Sequence, residues 1–347
     1  MTDQDYFKLA VAAAHQGLDT WTNPQVGAVI VKDGQVIATG YHHQFGQAHA
    51  EVDALSQLDD VADAKDSTVY VTLEPCSHYG KTPPCAKRLA EVGVARVVIG
   101  QQDPNPLVSG KGIQLLEDHG VAVTVLNQTA DLNEAYTYFY QHHQPYFTLK
   151  YAMSLDGKIN GAGMTRTQLT SEPAQQDVQQ LRSRQHAILI GEHTLLNDDP
   201  QLTVRTRQQA FPPIRIALVR DANQLDRRLK LFNNAAPTWF LSETEVTTSV
   251  PENVKVVVRP EWTPVVISQY LAEQGLQAVL VEGGSQVQAA FLAADLVNEL
   301  VVYVAPKVLG GAGLPAAVGE PLTAAFNLGA PTITQFGHDV RVRARRV

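Results

Sequence analysis

His49, Cys76 and Cys85 are residue types that bind a soft or borderline cation, and they stand in two short stretches, HAE (49–51) and CSHYGKTPPC (76–85). Both cysteines of the chain are among them. One imidazole and two thiolates supply three protein ligands, and three ligands with a fourth place left for water is the arrangement of a catalytic zinc site. Glu51 follows His49 by two residues. In mid-helix the two would project about 200° apart, so they share a pocket only at a helix start. Gly46-Gln47-Ala48 supplies a suitable lead-in. CAKRLAEVG reads as a helix opened at Cys85 and closed by Gly93, and free amides at a helix start favour thiolate over thiol. Gly80, Pro83 and Pro84 fold the intervening chain back so that both sulfurs reach one ion. Bound zinc brings the pKa of its water toward about 7, and Glu51, which is not a ligand, is the group to take that proton and pass it on.

The setting of these residues narrows the chemistry. The chain has 347 residues, 27 Lys and Arg against 35 Asp and Glu, and a net charge of −8. That balance argues against a nucleic-acid partner, which calls for a basic face. The N-terminal stretch MTDQDYFKLAVAAAHQG lacks the basic and apolar regions of a signal peptide, and no apolar run reaches the roughly 18 residues of a membrane span. A disulfide is the alternative use of the two cysteines, but so few thiols without an export signal suit the reducing cytosol. A cytoplasmic enzyme acting on small molecules is the expectation, with self-association into a homo-oligomer left open.

The length fits about two domains. Residues 4–16 carry apolar groups at helical spacing, and VGAVIVKDGQVIATGYHH reads as two strands about an Asp33-Gly34 hairpin turn. Helix AEVDALSQL, strand STVYVTLEPC, helix CAKRLAEVG, strand VARVVIGQQ, helix KGIQLLEDHG and strand VAVTVLN follow. This order predicts a central sheet with helices on both faces. A polar, aromatic helix within LNEAYTYFYQHHQP precedes a boundary at Pro145, giving domains 1–145 and 146–347. The second domain restarts with strand YFTLKYAMSLDG. Helix AQQDVQQLRSR, strands HAILIGE, IRIALV, PTWFLS, VKVVVR and QAVLVEG, helices LAEQGL and VQAAFLAADL, and the apolar run LVNELVVYVAPKVLGG make it α/β as well. No internal repeat or low-complexity segment is seen.

H-x-E followed by P-C and a second cysteine is the signature of zinc nucleobase deaminases. TNPQVGAVIV, HAEVDAL, LEPCSHYGKTPPC and DPNPLVSGKGIQLLEDHGV further resemble the deaminase half of the bifunctional riboflavin-biosynthesis deaminase/reductases. The resemblance implies a cytidine-deaminase-like α/β/α domain. It implies as substrate 2,5-diamino-6-ribosylamino-4(3H)-pyrimidinone 5′-phosphate, deaminated at the 2-amino group. Asn23, His42, His78, Lys81, Asp103 and Asn105 are the residues it puts around ring and ribose phosphate. The chain departs from the family's usual PNP at Thr22, from PHAE at Ala48 and from GRTPPC at Lys81. The last change keeps a charge but loses arginine's planar fork.

In the second domain, VLVEGGSQVQAAFL is a strand, two glycines and a helix, a setting in which the amides of Gly283, Gly284 and Ser285 cradle a phosphate. LKYAMSLDGKI, LTSEPAQQDVQQLR, HAILIGEHTLLNDDPQLTVR, LVEGGSQVQAAFL and YVAPKVLGG resemble the reductase half of the same family, implying a dihydrofolate-reductase-like fold and NADPH as hydride donor to C1′ of the ribosylamino group. It implies cofactor positions at Ser154, Thr170, Thr194, Asp198, Gly284, Ser285, Gln286, Val287, Gln288, Ala289 and Ala290. Asp198 is also the choice for proton management near C1′. Substrate positions fall at Lys150, Gln168, Gln185, Leu202, Arg205 and Glu282, with Arg205 suited to phosphate. Gln168 and Leu169 replace the family's Trp-Ile. Two alternatives compete: a deaminase whose second half only binds or supports, and a nucleic-acid deaminase with an accessory domain, which the acidic balance disfavours.

Overall fold

Alternate residues of the first unit's strands enter opposite cores. Ala28, Ile30, Val69, Val71, Val97 and Ile99 pack with Ala54, Leu55, Leu89 and Leu116, while Val29, Val31, Tyr70 and Val98 pack with Tyr6 and Ala10. A sheet with both faces apolar has to be covered on both. The protein, seen as a computed structural model describing residues 1–77, 83–128, 131–161 and 167–347, divides into two units, Met1–His143 and Gln144–Val347.

The first unit runs α1 (Asp3–Ala14), β1 (Gly27–Lys32), β2 (Gln35–Tyr41), α2 (Ala50–Ser56), β3 (Thr68–Leu73), α3 (Cys85–Val92), β4 (Arg96–Gln101), α4 (Lys111–Asp118), β5 (Ala122–Val125) and α5 (Glu134–His142). Thr2 and Asp5 close a capping box that starts α1. Asp33 and Gly34 both take positive φ (51° and 75°), the two-residue hairpin turn read from the sequence. The sheet order is β2-β1-β3-β4-β5. β3, β4 and β5 are parallel, and Leu73 pairs with Gln101 at the carboxyl ends of β3 and β4. The loops that follow, one with Cys76 and the other with Asp103, therefore leave the sheet side by side. Helices α2, α3 and α4 share one face with Ala28 and Ile30, and α1 covers the other.

The second unit runs β6 (Tyr146–Ser154), β7 (Lys158–Asn160), α6 (Glu172–Ser183), β8 (Ala187–Gly191), α7 (Glu192–Asp198), β9 (Ile214–Val219), β10 (Thr238–Ser242), β11 (Val254–Val258), α8 (Pro264–Glu273), β12 (Ala278–Val281), α9 (Ser285–Ala293), β13 (Val297–Ala305), β14 (Leu314–Pro315), β15 (Thr332–Phe336) and β16 (Asp339–Arg345). Nine strands form one sheet, β11-β10-β9-β8-β12-β6-β13-β16-β15. It is parallel from β11 to β13, and β13, β16 and β15 pair antiparallel. Strand order reverses around β8, β12 and β6, and in open α/β sheets ligands bind beyond the carboxyl ends of strands at such a reversal.

Helix α7 and the β15–β16 hairpin went unread in the sequence, as did the two short strands β7 and β14. Helix α7 is short and buries only Leu195, and its NDDP end has the composition of a turn. The β15–β16 hairpin hides its period-two pattern in VRVRAR, where two arginines are paired: Arg341 bridges to Asp177 at 2.7 Å and Arg343 to Glu299 at 2.5 Å.

One glycine decides how closely α2, which follows His49, can sit on the sheet. A Cβ at Gly40 would lie 2.2 Å from the Ala54 amide nitrogen and 2.6 Å from the Ala50 carbonyl oxygen. Both obstacles are backbone, so the helix itself would have to retreat. Gly40→Ala is expected to cost at least about 3 kcal/mol, the upper range for overpacking, and to lower metal retention through His49. Thermal unfolding read with zinc content checks this; an unchanged melting point with full zinc would contradict it.

Candidate functional site

His49 is the extended residue immediately before α2, and Glu51 lies in that helix's first turn, 4% exposed. Cys85 is the first residue of α3 and Cys76 lies three residues beyond β3. The helix-start placement reconciles the awkward spacing of His49 and Glu51. His49 Nδ1 is 3.5 Å from Cys76 Sγ and 3.4 Å from Cys85 Sγ, and the Cys85 amide donates to Cys76 Sγ at 3.3 Å. The three ligand atoms all lie within 4.8 Å of one another. Both cysteines are free.

The groups of this cluster shift one another: hydrogen bonding to Cys76 pushes the His49 ring up to about 9. A hydrogen bond from the Cys85 thiol, opposed by burial but helped by His49 and the Cys85 amide, holds the Cys76 thiol down at about 4. Cys85 goes the other way, raised by its bond to Cys76 and by burial. Burial pushes the Glu51 carboxyl up to about 7. Its carboxyl also engages the Cys85 thiol. Two sulfurs and one imidazole nitrogen at these separations fit zinc, and oxygen-seeking cations do not suit such donors.

His42 and Asn23 meet beside this cluster. The Asn23 amide donates to His42 Nε2 (3.2 Å), and His42 Nδ1 donates to the Ala48 carbonyl (2.9 Å), one residue before the ligand His49. Burial lowers the His42 pKa, which suits a neutral ring with one donor and one acceptor. The His42 and His49 rings meet edge-on with centroids 5.7 Å apart. Asp103 accepts from the Asn105 amide (2.8 Å) and the Tyr136 hydroxyl (3.0 Å), and burial pushes its carboxyl up to about 6. Asn105 accepts from the Leu107 amide at 3.0 Å. His78 and Lys81 lie outside the described residues. Glu74, which sequence reading passed over, accepts four backbone N–H groups of the Asp103–Ile113 segment. Its one signal was position, a carboxylate at a strand end two residues before a ligand.

In the second unit the charged centre is Glu282, just past β12. Arg182 grips it with two bonds (2.7 and 2.9 Å), and Lys150 of β6 approaches to 3.5 Å. Arg182 also donates to the Thr203 carbonyl (3.3 Å), and Gln179 accepts from the Arg205 amide (2.9 Å), tying the Leu202–Arg205 segment to α6. Arg182 was missed in the sequence, where Gln185, two residues past the end of α6, was chosen instead. The Gln185 amide instead bonds the Leu181 carbonyl at 3.3 Å, and its Oε1 is buried without a partner. Helix α7 ends at Asp198, because Asp199 takes φ 38° and Pro200 follows. Leu202 is buried with φ 49°, a strained backbone for a branched residue.

Of the positions expected to meet the dinucleotide, Gly284 to Ala290 form the cap and first turns of α9. Gly284 caps that helix without a side-chain bond, leaving its first amides facing outward. Cβ atoms on Gly191 and Gly283 would lie 2.7 and 2.8 Å from the Val287 side chain, so only glycine lets α9 begin so close to the ends of β8 and β12. Thr194 Oγ1 lies 3.2 Å from where a Gly284 Cβ would stand. This cradle fits the phosphates of NADPH. Ser285 Oγ donates to the Pro315 carbonyl, Gln288 to Gly283 O (2.7 Å), and a Gly319 Cβ would stand 3.0 Å from Ala289 Cβ. Gln286 and Ala290 lie on the same helix. Ser154 donates to Asp156 (2.6 Å) and accepts from Lys158 N (3.0 Å), shaping the SLDGK turn. Leu169 is buried while Gln168 is exposed and bonds the Thr170 carbonyl at 2.9 Å. A separate basin of about 780 Å³ lined by Arg227, Arg228 and Lys230 shares no residue with either cluster.

Residues 145–342 match the family described as RibD C-terminal domain, and residues 1–101 the cytidine and deoxycytidylate deaminase zinc-binding region. The riboflavin biosynthesis protein RibD of Escherichia coli is 40% identical over 89% of each chain. The chain belongs to this family of bifunctional riboflavin-biosynthesis proteins. RibD of Acinetobacter baumannii superposes with a TM-score of 0.90 at 34% identity over 99% of both chains. A Thermotoga maritima deaminase/reductase does so at 0.89, with 31% identity and 99% of both chains covered. Family membership brings zinc to the first unit and NADPH to the second, and the deaminase-like and reductase-like α/β folds expected from the sequence are those observed.

The Glu282 centre generates a pH test. Burial would raise its carboxyl, but Arg182 and then Lys150 outweigh that and hold it at about 2, below its ordinary 4.5. A folded pKa below the unfolded one contributes stability that is present above the unfolded value and lost as pH falls through the folded one. Between about pH 4.5 and 2, stability of this unit should therefore drop by up to one proton's slope more than in Glu282→Gln. At neutral pH the variant, left with two cations facing an amide, should be about 3 kcal/mol less stable. Denaturant melts across that range measure both, and an identical slope in variant and wild type would place the stabilising charge elsewhere.

Proposed function

We propose that the chain performs two steps of riboflavin biosynthesis at two separate sites. Residues 1–145 deaminate the diamino pyrimidine ribose phosphate, and residues 146–347 reduce the ribosyl group of the product to ribityl. The Thermotoga maritima relative is described as a diaminohydroxyphosphoribosylaminopyrimidine deaminase/5-amino-6-(5-phosphoribosylamino)uracil reductase. The observation that carries the reading here is the trio His49, Cys76 and Cys85, with ligand atoms within 4.8 Å, beside the buried carboxyl of Glu51. Free thiols suit a cytosolic setting, and a net charge of −8 suits small-molecule substrates better than nucleic acid.

When bound, zinc supplies a water of lowered pKa. Glu51, with a carboxyl pushed up to about 7, is poised to accept a proton and to release it at neutral pH. It would take the water's two protons in turn, passing one to the ring nitrogen as the oxygen adds to the carbon and the second to the departing amine. His42, holding the Ala48 carbonyl, fixes the approach of His49, and Asn23, Asp103 and Asn105 orient the ring, with His78 and Lys81 assigned to the ribose phosphate side. In the second unit NADPH supplies the hydride. Gly284, Ser285 and Gln286–Ala290 seat its phosphates with Thr194, while Ser154 and Thr170 border the cofactor. Lys150, Arg182, Glu282, Leu202 and Arg205 hold the substrate, with Gln168 at the margin, and Asp198 manages the proton at C1′. Because Leu169 fills the core and Gln168 stays at the surface, the packing place in this motif is occupied, which favours an active reductase over a merely supporting domain.

Purified protein should contain one zinc per chain by elemental analysis. Glu51→Gln should keep that zinc yet lose about 10²–10⁴-fold in ammonia release, while still oxidising NADPH with the deaminated substrate. Undiminished ammonia release would remove Glu51 from the reaction.

For the reductase, Asp198→Ala should depress NADPH oxidation and leave ammonia release near wild type. Arg205→Ala should mainly raise KM, by roughly 10- to 150-fold, the equivalent of about 1.5–3 kcal/mol for a charged hydrogen bond. Wild-type protein that deaminates but neither binds nor oxidises NADPH with authentic product would refute the second activity.

A further inference from the structure

Glu74 is 4% exposed and carries no part in the chemistry described above, yet its carboxylate accepts four backbone N–H groups. Oε2 accepts from the amides of Asp103 (3.2 Å) and Gly110 (3.0 Å), and Oε1 from those of Gly112 (2.9 Å) and Ile113 (3.3 Å). Gly112 and Ile113 are the second and third residues of α4, whose cap, Gly110, has no side chain to offer. A carboxylate from another strand thus answers the helix's open amides and its positive end. The same carboxylate reaches the first residue of the DPNP loop. Asp103 in turn accepts from the Asn105 amide, so the bond to Glu74 is continuous with the loop's own bonding.

The close approach is secured a second time. A Cβ at Gly112 would stand 2.0 Å from the carbonyl oxygen of Pro75 and 3.1 Å from Glu74 Oε1, so only glycine lets α4 start against the backbone between Glu74 and Cys76. Glu74 N also donates to Gln101 O (2.9 Å), where β3 and β4 end together. One side chain therefore fastens the loop assigned to ring recognition to the strand end that carries a metal ligand.

We propose that Glu74 is a positioning residue for deamination: its carboxylate sets the Asp103–Asn105 loop at a fixed place relative to the Cys76 end of the metal site. The inference rests on the reading of that loop as substrate-binding. An amide side chain cannot replace the carboxylate, because each of its two oxygens serves two N–H donors and glutamine keeps only one oxygen whichever way it turns. The loop would then be ordered at the expense of substrate binding energy.

Glu74→Gln, Glu74→Asp and Asn105→Ala in the full chain test this, with zinc content and NADPH oxidation on the deaminated substrate as references for loaded, folded protein. The expected result for Glu74→Gln is full zinc and a KM for the diamino substrate raised about 10- to 100-fold, with kcat much less affected. That pattern is opposite to the kcat loss of Glu51→Gln. Glu74→Asp, which keeps the charge but shortens its reach, should raise KM less. Wild-type KM in zinc-loaded Glu74→Gln, loss of zinc instead of affinity, or failure of both Glu74 variants to fold would each overturn the positioning role. If Asn105→Ala leaves KM unchanged, the loop assignment falls and takes the positioning role with it. An Asn105→Ala effect beside a silent Glu74→Gln overturns the positioning role alone.

Discussion

A carboxyl group removed from water must be answered within the protein, and Glu74, Glu282 and Glu51 are answered in three ways. Glu74 is surrounded by four backbone amides. Glu282 is held ionised between Arg182 and Lys150. For Glu51, burial outweighs the His49 ring, its own amide and the Cys85 thiol, and the carboxyl is pushed toward its neutral form. The first two arrangements order loops at the ends of parallel strands, and the third leaves a group ready to exchange a proton. The folds exist around these solutions: strand ends side by side, helix starts turned toward them, and glycines where backbones meet.

Much of this was legible before any coordinate. The zinc ligands could be chosen because two cysteines and a histidine are rare enough together to carry meaning, and the helix-start geometry of His49 and Glu51 followed from their spacing alone. The Asp33-Gly34 turn, the strands of the first sheet, the parallel strands of the second and the start of α9 at Gly284 likewise carry strong local signals. Glu74 and Arg182 do not. Their importance depends on what lies opposite them in space, 36 residues away between Glu74 and Gly110 and 100 between Arg182 and Glu282. A glutamate before a proline and an arginine in a polar helix look ordinary in one dimension. The choice of Gln185 over Arg182 shows the same limit, since two polar residues three apart in sequence differ there only in what they reach in space.

The C-terminal hairpin failed to announce itself for a related reason. Period-two alternation marks a strand when one set of residues is apolar, but in β16 the other set is arginine. Arg341 and Arg343 are carried inward by their pairing with Asp177 and Glu299, and Tyr303 adds a 2.5 Å bond to Asp177. Composition recorded charge where the fold had made contacts.

The division of the chain at His143 and Gln144 has a consequence for the supply of the two activities. Each half has its own sheet and its own core. Translation as one polypeptide nevertheless makes them in a one-to-one ratio at every expression level. The balance between intermediate formed and intermediate consumed is then written into the two turnover numbers rather than into gene dosage, and it can be retuned only by changes in the chain itself.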